Sequence, residues 1–202
     1  YVTFVSTMSA DLVRAKEKSP DAGYARDFVA LVMKSLLREI KARGIRVVAN
    51  AGGVNVSACA AALAKVAEEA GVDIKIGTVE GDDLSNRIDE LRAADVTEMF
   101  TGAPLPDNLI SANAYLGAFP IAAALDAGAD IVITGRCVDS AVTLGPLIHE
   151  FGWNADDFDQ LAAGTLAGHI IECGAQATGG NFTDWRDTVD GWDNMGYPIA
   201  EC

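Results

Sequence analysis

The chain alternates short apolar runs, glycine-bearing turns and helical stripes of apolar residues. Phe28 to Ala42 carries apolar residues at helical spacing. Ile45 to Ala49 is an apolar run ending in Asn50-Ala-Gly-Gly-Val-Asn55; a helical pattern follows from about Ser57 to Ala70, closed by Gly71. From Val72 to Val79, Ile74, Ile76 and Thr78 alternate with Asp73, Lys75 and Gly77, which predicts a strand. It ends at Glu80-Gly-Asp-Asp83, where either aspartate is placed to cap a helix running to about Ala94. Ala112 to Ala127 predicts a buried helix, bent or interrupted by Pro120 and ended by Gly128. Asp130 to Thr134 predicts an apolar strand, followed by the turn Gly135-Arg-Cys-Val-Asp-Ser140 and a helix to about Phe151. Asp157 and Gln160 have capping-box spacing for one more helix, to about Gly174.

Near-continuous apolar strands alternating with helices predict an α/β domain with a mainly parallel sheet covered on both faces, three-layer α/β/α and Rossmann-like. Such sheets bind ligands outside the carboxyl ends of their strands. The turns after Ala49, Val79 and Thr134 all fall at that edge. Two segments break the pattern. Asp95 to Asn108, with Gly102, Pro104 and Pro106, reads as an irregular loop; the chain from Gly179 onward reads as loops. Residues 1–202 are expected to form a single α/β domain. The chain begins with Tyr1 and stops at Cys202, so it reads as a piece of a longer protein, with residues 179–202 passing into a further segment.

Composition narrows the function. Half the residues are hydrophobic and 22% are charged, which excludes a disordered chain. The most apolar window, Ala114 to Gly135, is broken by Pro120, Asp126 and Asp130, so no membrane partner is expected. The net charge of −14, without a basic stripe, argues against nucleic acid. The cysteines Cys59, Cys137, Cys173 and Cys202 form no CxxC pair. They are expected to be reduced, in a cytoplasmic protein.

The candidate chemistry gathers at the sheet-edge turns. In the turn from Asn50 to Asn55, Gly52 and Gly53 let backbone approach a ligand, and the amides of the next helix attract anions; alternatively it is a tight turn with Asn55 or Ser57 as cap. Glu80, Asp82 and Asp83 offer an acid–base pair or oxygen ligands for a divalent cation, with helix capping as the competing role. Arg136 is set to clamp a carboxylate or phosphate, beside Asp139 and Ser140, unless Asp139 holds it in an internal ion pair. Cys137 has no adjacent histidine and is not taken as a nucleophile. His169 and Glu172 are three apart on the last predicted helix and would make a general base with its partner, or a half-buried structural histidine. Gly179 and Gly180 add flexible backbone able to close over a ligand. Asn113, Tyr115 and Trp153 have default roles as cap, core and packing residues.

Several stretches carry a family likeness: Gly23-Tyr-Ala-Arg-Asp-Phe28, Val48-Ala-Asn-Ala-Gly-Gly-Val-Asn55, Val79-Glu-Gly-Asp-Asp83 and Ser111-Ala-Asn-Ala-Tyr-Leu-Gly117. They continue in Asp130-Ile-Val-Ile-Thr-Gly-Arg136 with Asp139-Ser140, Leu147-Ile-His-Glu-Phe-Gly-Trp153 and Ala167-Gly-His-Ile-Ile-Glu-Cys-Gly174. Gly179-Gly-Asn-Phe-Thr-Asp-Trp185 and Gly196-Tyr-Pro-Ile-Ala-Glu201 complete the set. From Gly23 to Cys202 the chain resembles the acyclic terpene utilisation (AtuA) family. Members are longer, and the family is named for gene clusters that degrade acyclic terpenes such as citronellol and geraniol through CoA thioesters. The resemblance implies catabolism of a branched carboxylate or its acyl-CoA.

Together these readings predict an enzyme of lyase or hydratase type working by proton transfer. Catalytic candidates are Glu80, Asp83, His169 and Glu172. Substrate-binding candidates are Asn50, Gly52, Gly53, Asn55, Arg136, Asp139, Ser140, Gly179 and Gly180. CoA would enter as part of the substrate, and a divalent cation stays open. Expected partners are the small-molecule substrate and, as an option, further copies of the chain. The alternative is a non-catalytic ligand-binding or assembly subunit of a catabolic enzyme complex.

Overall fold

A computed structural model describes residues 2–4 and 9–202. Four strands, β1 (Val2–Phe4), β2 (Val47–Ala49), β3 (Ile76–Val79) and β4 (Ile131–Thr134), form one sheet in the order β1-β2-β4-β3. Every pairing is parallel, with Val47, Val48 and Ala49 opposite Ile131, Val132 and Ile133. The two central strands, β2 and β4, are buried at every position, which is why they read as unbroken apolar runs rather than alternating ones.

Seven α-helices occur among the described residues: α1 (Ser9–Lys18), α2 (Lys34–Ala42), α3 (Val56–Ala70), α4 (Ile88–Ala93), α5 (Phe119–Asp126), α6 (Ala141–Phe151) and α7 (Phe158–Ile171). A π-helical stretch, Phe28–Met33, leads into α2. Side chains alternate along a strand. Val47, Ala49, Ile131 and Ile133 therefore join one buried cluster with Phe28, Met33, Leu37 and Leu63, from the π-helical stretch, α2 and α3. Val48 and Val132 join a second cluster with Ile121, Leu125, Val142 and Ile148, from α5 and α6. Each fully buried aliphatic side chain contributes about 1.5–3 kcal/mol. The connections from β1 to β2 and from β2 to β3 run one way across the sheet, and that from β3 to β4 runs back. Right-handed crossovers then call for opposite faces, as the two clusters have it.

Several predicted elements differ in the fold. The helix expected from Ala112 is helical only over Phe119–Asp126, and Pro120 sits in its first turn, where a missing N–H costs nothing. Residues 112–116 are extended instead. Leu84 N donates to Ala112 O and Ala114 N to Asp82 O, each at 2.8 Å. On the other side Leu116 N donates to Arg136 O at 3.2 Å, and Val138 N to Leu116 O at 3.0 Å. The segment is wedged between the continuations of β3 and β4, and their backbone groups replace the helical bonds its periodicity predicts. The strand expected from Val72 is ordered as sheet from Ile76, and the helix after Asp83 splits into a 3₁₀ turn, Ser85–Arg87, and α4.

Asp157 starts α7 without a side-chain cap; its Oδ2 accepts from Asn154 N at 2.6 Å, so the capping box is not formed. Helix α7 stops at Ile171 because Cys173 takes a left-handed backbone, φ 55°. Beyond Gly174 the chain holds 3₁₀ turns joined by loops. Among the described residues no helix is long and apolar enough to cross a membrane.

Candidate functional site

The turn after β2 crosses the end of β4 so closely that a Cβ on Gly52 would lie 2.6 Å from Thr134 O. Gly53 follows at φ 55°, with Gly23 O 2.9 Å from the place of its missing Cβ. Asn55 caps α3 through Oδ1, accepting from Ala58 N at 3.4 Å. Its Nδ2 donates to Pro20 O and Ala22 O at 2.8 and 2.7 Å, fastening the loop that follows α1. Lys16, in the last turn of α1, donates from Nζ to Val54 O at 2.8 Å.

Between these elements and the loop after β3 lies a cleft of about 210 Å³, lined by Lys16, residues 53–57 and Glu80 to Asp83. A neighbouring hollow of about 210 Å³ shares Lys16, Val54 and Asp83 and reaches Ile110, Ser111 and Asn113, so the two form one groove. The first turn of α3, whose amides have no acceptor within the helix, borders it at Val56 and Ser57.

The three carboxylates after β3 have different surroundings. Asp82 is buried, and its Oδ2 accepts from Arg136 N and from Asn113 Nδ2, both at 2.9 Å. It ties together the ends of β3, β4 and the wedged segment. Gly135 makes room for it: a Cβ there would press on Asp82 Oδ1 and lie 2.8 Å from Cγ. Asp83 is exposed and accepts from Ser85 N at 2.9 Å, closing the turn before α4. Glu80 is exposed, and no hydrogen bond or ion pair engages its carboxylate among the described residues.

Arg136 is buried with its guanidinium on Tyr115. Nη2 donates to the phenol oxygen at 2.7 Å, and the guanidinium carbon lies 4.7 Å from the ring centroid. Beside it, burial pushes the Cys137 thiol pKa up, against the hydrogen bond from Thr134, so this buried sulfur is held as the thiol.

The family profile described as "Acyclic terpene utilisation family protein AtuA" matches residues 6–202. The chain belongs to this family. The match extends the likeness upstream of Gly23, through α1 and its Lys16. No curated protein and no solved structure matches the chain.

In this AtuA-family chain the sequence candidates separate into groups. Glu80, Asp83, Gly53 and Asn55 meet in the cleft. Asn50 and Gly52 are buried at the turn. Among the described residues no ion pair joins Arg136 to Asp139; Tyr115 takes the guanidinium instead, and Asp139 is half-buried. Ser140 is buried under α7, where a Cβ on Gly168 would lie 2.9 Å from Ser140 O.

His169 is exposed on α7 and is not among the residues lining the cleft. Glu172 has left the helix, with φ −61° and ψ 142°, so the shared helical face expected for the pair is not formed; its Oε1 accepts from Cys173 Sγ at 2.7 Å. Gly179 lines a separate hollow of about 390 Å³ with Phe182, Trp192 and Met195. Gly180 N donates to Ala175 O at 2.7 Å. Glu80, Asp82 and Asp83 do not converge: among the described residues no group of three or more His, Cys, Asp or Glu is arranged to hold a metal ion.

The sequence reading missed Lys16, whose segment has an ambiguous pattern, and the roles of Asn113 and Tyr115. Both of the latter lie in a stretch whose local periodicity is helical. Their contacts exist because the stretch is extended.

Proposed function

We propose that the groove bordered by α1, the β2–α3 turn and the β3 loop is the substrate site of a catabolic enzyme of the acyclic terpene utilisation type, acting on a small branched carboxylate or its acyl-CoA thioester. One observation supports this most directly: Glu80, a carboxylate that no hydrogen bond engages among the described residues, lines the same cleft as Lys16 and the first turn of α3. In this reading Lys16 and the α3 amides hold the carboxylate or thioester oxygen. Glu80 then moves a proton at the carbon beside it, as a lyase or hydratase requires. The anion-holding role assigned from sequence to Arg136 passes to Lys16, because the Arg136 guanidinium is buried on Tyr115. Arg136 and Asp82 instead keep the two loops in register. The same proposal takes residues 1–202 as one three-layer, Rossmann-like domain of a cytoplasmic protein; burial on both sheet faces supports the layering.

A second reading, a ligand-binding subunit without chemistry, is favoured by the structural duties of Asp82 and Asp83, which leave Glu80 as the one carboxylate of the loop without a partner among the described residues. Thermal-shift titration with branched acids and their CoA thioesters, comparing wild type with Lys16→Ala and Glu80→Gln, tests both. A native-state ligand raises Tm by mass action. The enzyme reading expects Lys16→Ala to lose the shift, and Glu80→Gln to keep it while abolishing turnover of the ligand found. Loss of neither would remove the groove from consideration. Binding without turnover in the wild type would favour the subunit.

A further inference from the structure

Helix α7 is mostly apolar, with Asp159, Gln160, Thr165 and His169 as its polar side chains, yet the residues it buries are two glycines. Gly164 and Gly168 are set against α6 so closely that a Cβ on Gly164 would lie 2.8 Å from Leu144 Cδ1. An apolar helix face is normally covered. Its outer face carries Phe158, Ala162, Leu166 and Ile170, one residue every four, which makes a single ridge. Phe158 is 73% exposed, Leu166 60% and Ile170 41%. Thr165, on the flank of the ridge, spends its hydroxyl on Leu161 O at 2.7 Å, so it brings no unmet polar demand to this face. From Gln160 to Gly168 the helix has no ionisable side chain.

We infer that this ridge is a homodimer interface, in which α7 packs antiparallel on α7 of a second copy across a two-fold axis level with Gly164. The order of side-chain sizes supports the self-pairing. In that register Phe158 meets Ile170 of the second copy, and the notch at Ala162 receives its Leu166, so small faces large on both sides. The same register brings Asp159 level with His169 of the second copy, one acidic and one basic-capable group at each end of the contact. Two chains of net charge −14 repel over most of their surfaces, and an apolar face whose rim sets a carboxylate against an imidazole able to hydrogen-bond it is where they can approach. Four side chains on one helix fall short of the ~800 Å² per partner of a standard interface. The dimer is therefore reversible, with a dissociation constant on the order of micromolar.

Sedimentation velocity on the 202-residue chain tests this, over about a hundred-fold range of concentration around that value. The mass should rise from the 21.1 kDa of one chain to twice that. Leu166→Glu places a charge opposite Ala162 and should raise the dissociation constant by about a hundred-fold or more. Ala162→Phe adds apolar surface but fills the notch, so it should also weaken the dimer. Far-UV circular dichroism checks that both variants keep the fold. The inference fails if the wild-type chain stays monomeric throughout, which would leave the ridge to another chain or segment. It fails equally if folded Leu166→Glu dimerises like wild type, or if Ala162→Phe pairs as tightly or more tightly, which would mean unspecific adhesion.

Discussion

Adding one methyl group at Gly135 should unfasten the carboxylate that holds the sheet edge together. Gly135 is buried at the end of β4, and a Cβ there would press on Asp82 Oδ1, with Asp82 Oδ2 3.0 Å away. Asp82 is 5% exposed and cannot swing into solvent without leaving Arg136 N and Asn113 Nδ2. A hydrogen bond to a charged group is worth about 1.5–3 kcal/mol, and a buried N–H left without a partner costs about 1–3 kcal/mol. With partial relaxation, Gly135→Ala should destabilise the protein by about 3 kcal/mol. For a chain of this size that corresponds to a fall in Tm of roughly 6–12 °C. Urea unfolding followed by circular dichroism measures it directly, as a lower midpoint at unchanged slope. The decisive comparison is a double-mutant cycle with Asp82→Ala. That substitution breaks the same bonds but removes the obstructing carboxylate, so Gly135→Ala on top of it should cost less than about 1 kcal/mol, a coupling near 2 kcal/mol. A single Gly135→Ala within about 0.5 kcal/mol of wild type, or full additivity with Asp82→Ala, would refute the idea that this glycine exists to admit that carboxylate.

Gly168→Ala should cost about 1–3 kcal/mol in the same urea assay, because its Cβ would meet Ser140 backbone, with the carbonyl oxygen at 2.9 Å; a neutral result would mean that α7 can slide away from α6. Asp130 is partly desolvated, which raises its pKa, but the hydrogen bond from Lys75 N at 2.8 Å and the nearby Lys41 and Lys75 charges prevail and hold it below the ordinary aspartate value. Its contribution is thus present above the unfolded pKa and lost as pH falls through the folded one; Asp130→Asn should flatten that part of the acid limb in urea midpoints measured against pH. Among the cysteines, Cys173 and Cys202 are exposed while Cys59 and Cys137 are buried, so native labelling should stop at two thiols and reach four in denaturant. Glu172 accepts from the Cys173 thiol and holds its pKa up to about 11, so Glu172→Gln should speed alkylation of Cys173 near neutral pH; an unchanged rate would mean that the contact does not persist in solution.

The candidate site was legible in the sequence as turns rather than as a constellation. Asn50 to Asn55 and Glu80 to Asp83 announce themselves by glycines and carboxylates after apolar runs, and the second half of the first turn, Gly53 to Asn55, lines one cleft with Glu80 to Asp83. Arg136 has the same local signature but faces Tyr115 rather than the cleft, since its partner arrives from a segment that local periodicity assigns to a helix. His169 and Glu172 are three apart in sequence, yet a left-handed Cys173 ends the helix before they can share a face.

By itself the sequence determined the alternation of strand and helix, the burial of β2 and β4, and the placing of the glycine turns at the carboxyl edge. Each of these follows from short-range patterning, in which apolar runs must be covered and turns need residues that tolerate them. The family follows as well, from residues 6–202. The tertiary structure alone decided the order β1-β2-β4-β3, the wedge of residues 112–116, and the division of labour among Glu80, Asp82 and Asp83. Except for the local turn that Asp83 closes with Ser85, these depend on partners dozens of residues away. Asp82 is a structural clasp and Glu80 is not, because the chain brings Arg136 N and Asn113 to one and neither to the other. A run of three nearby carboxylates contains no local record of that choice.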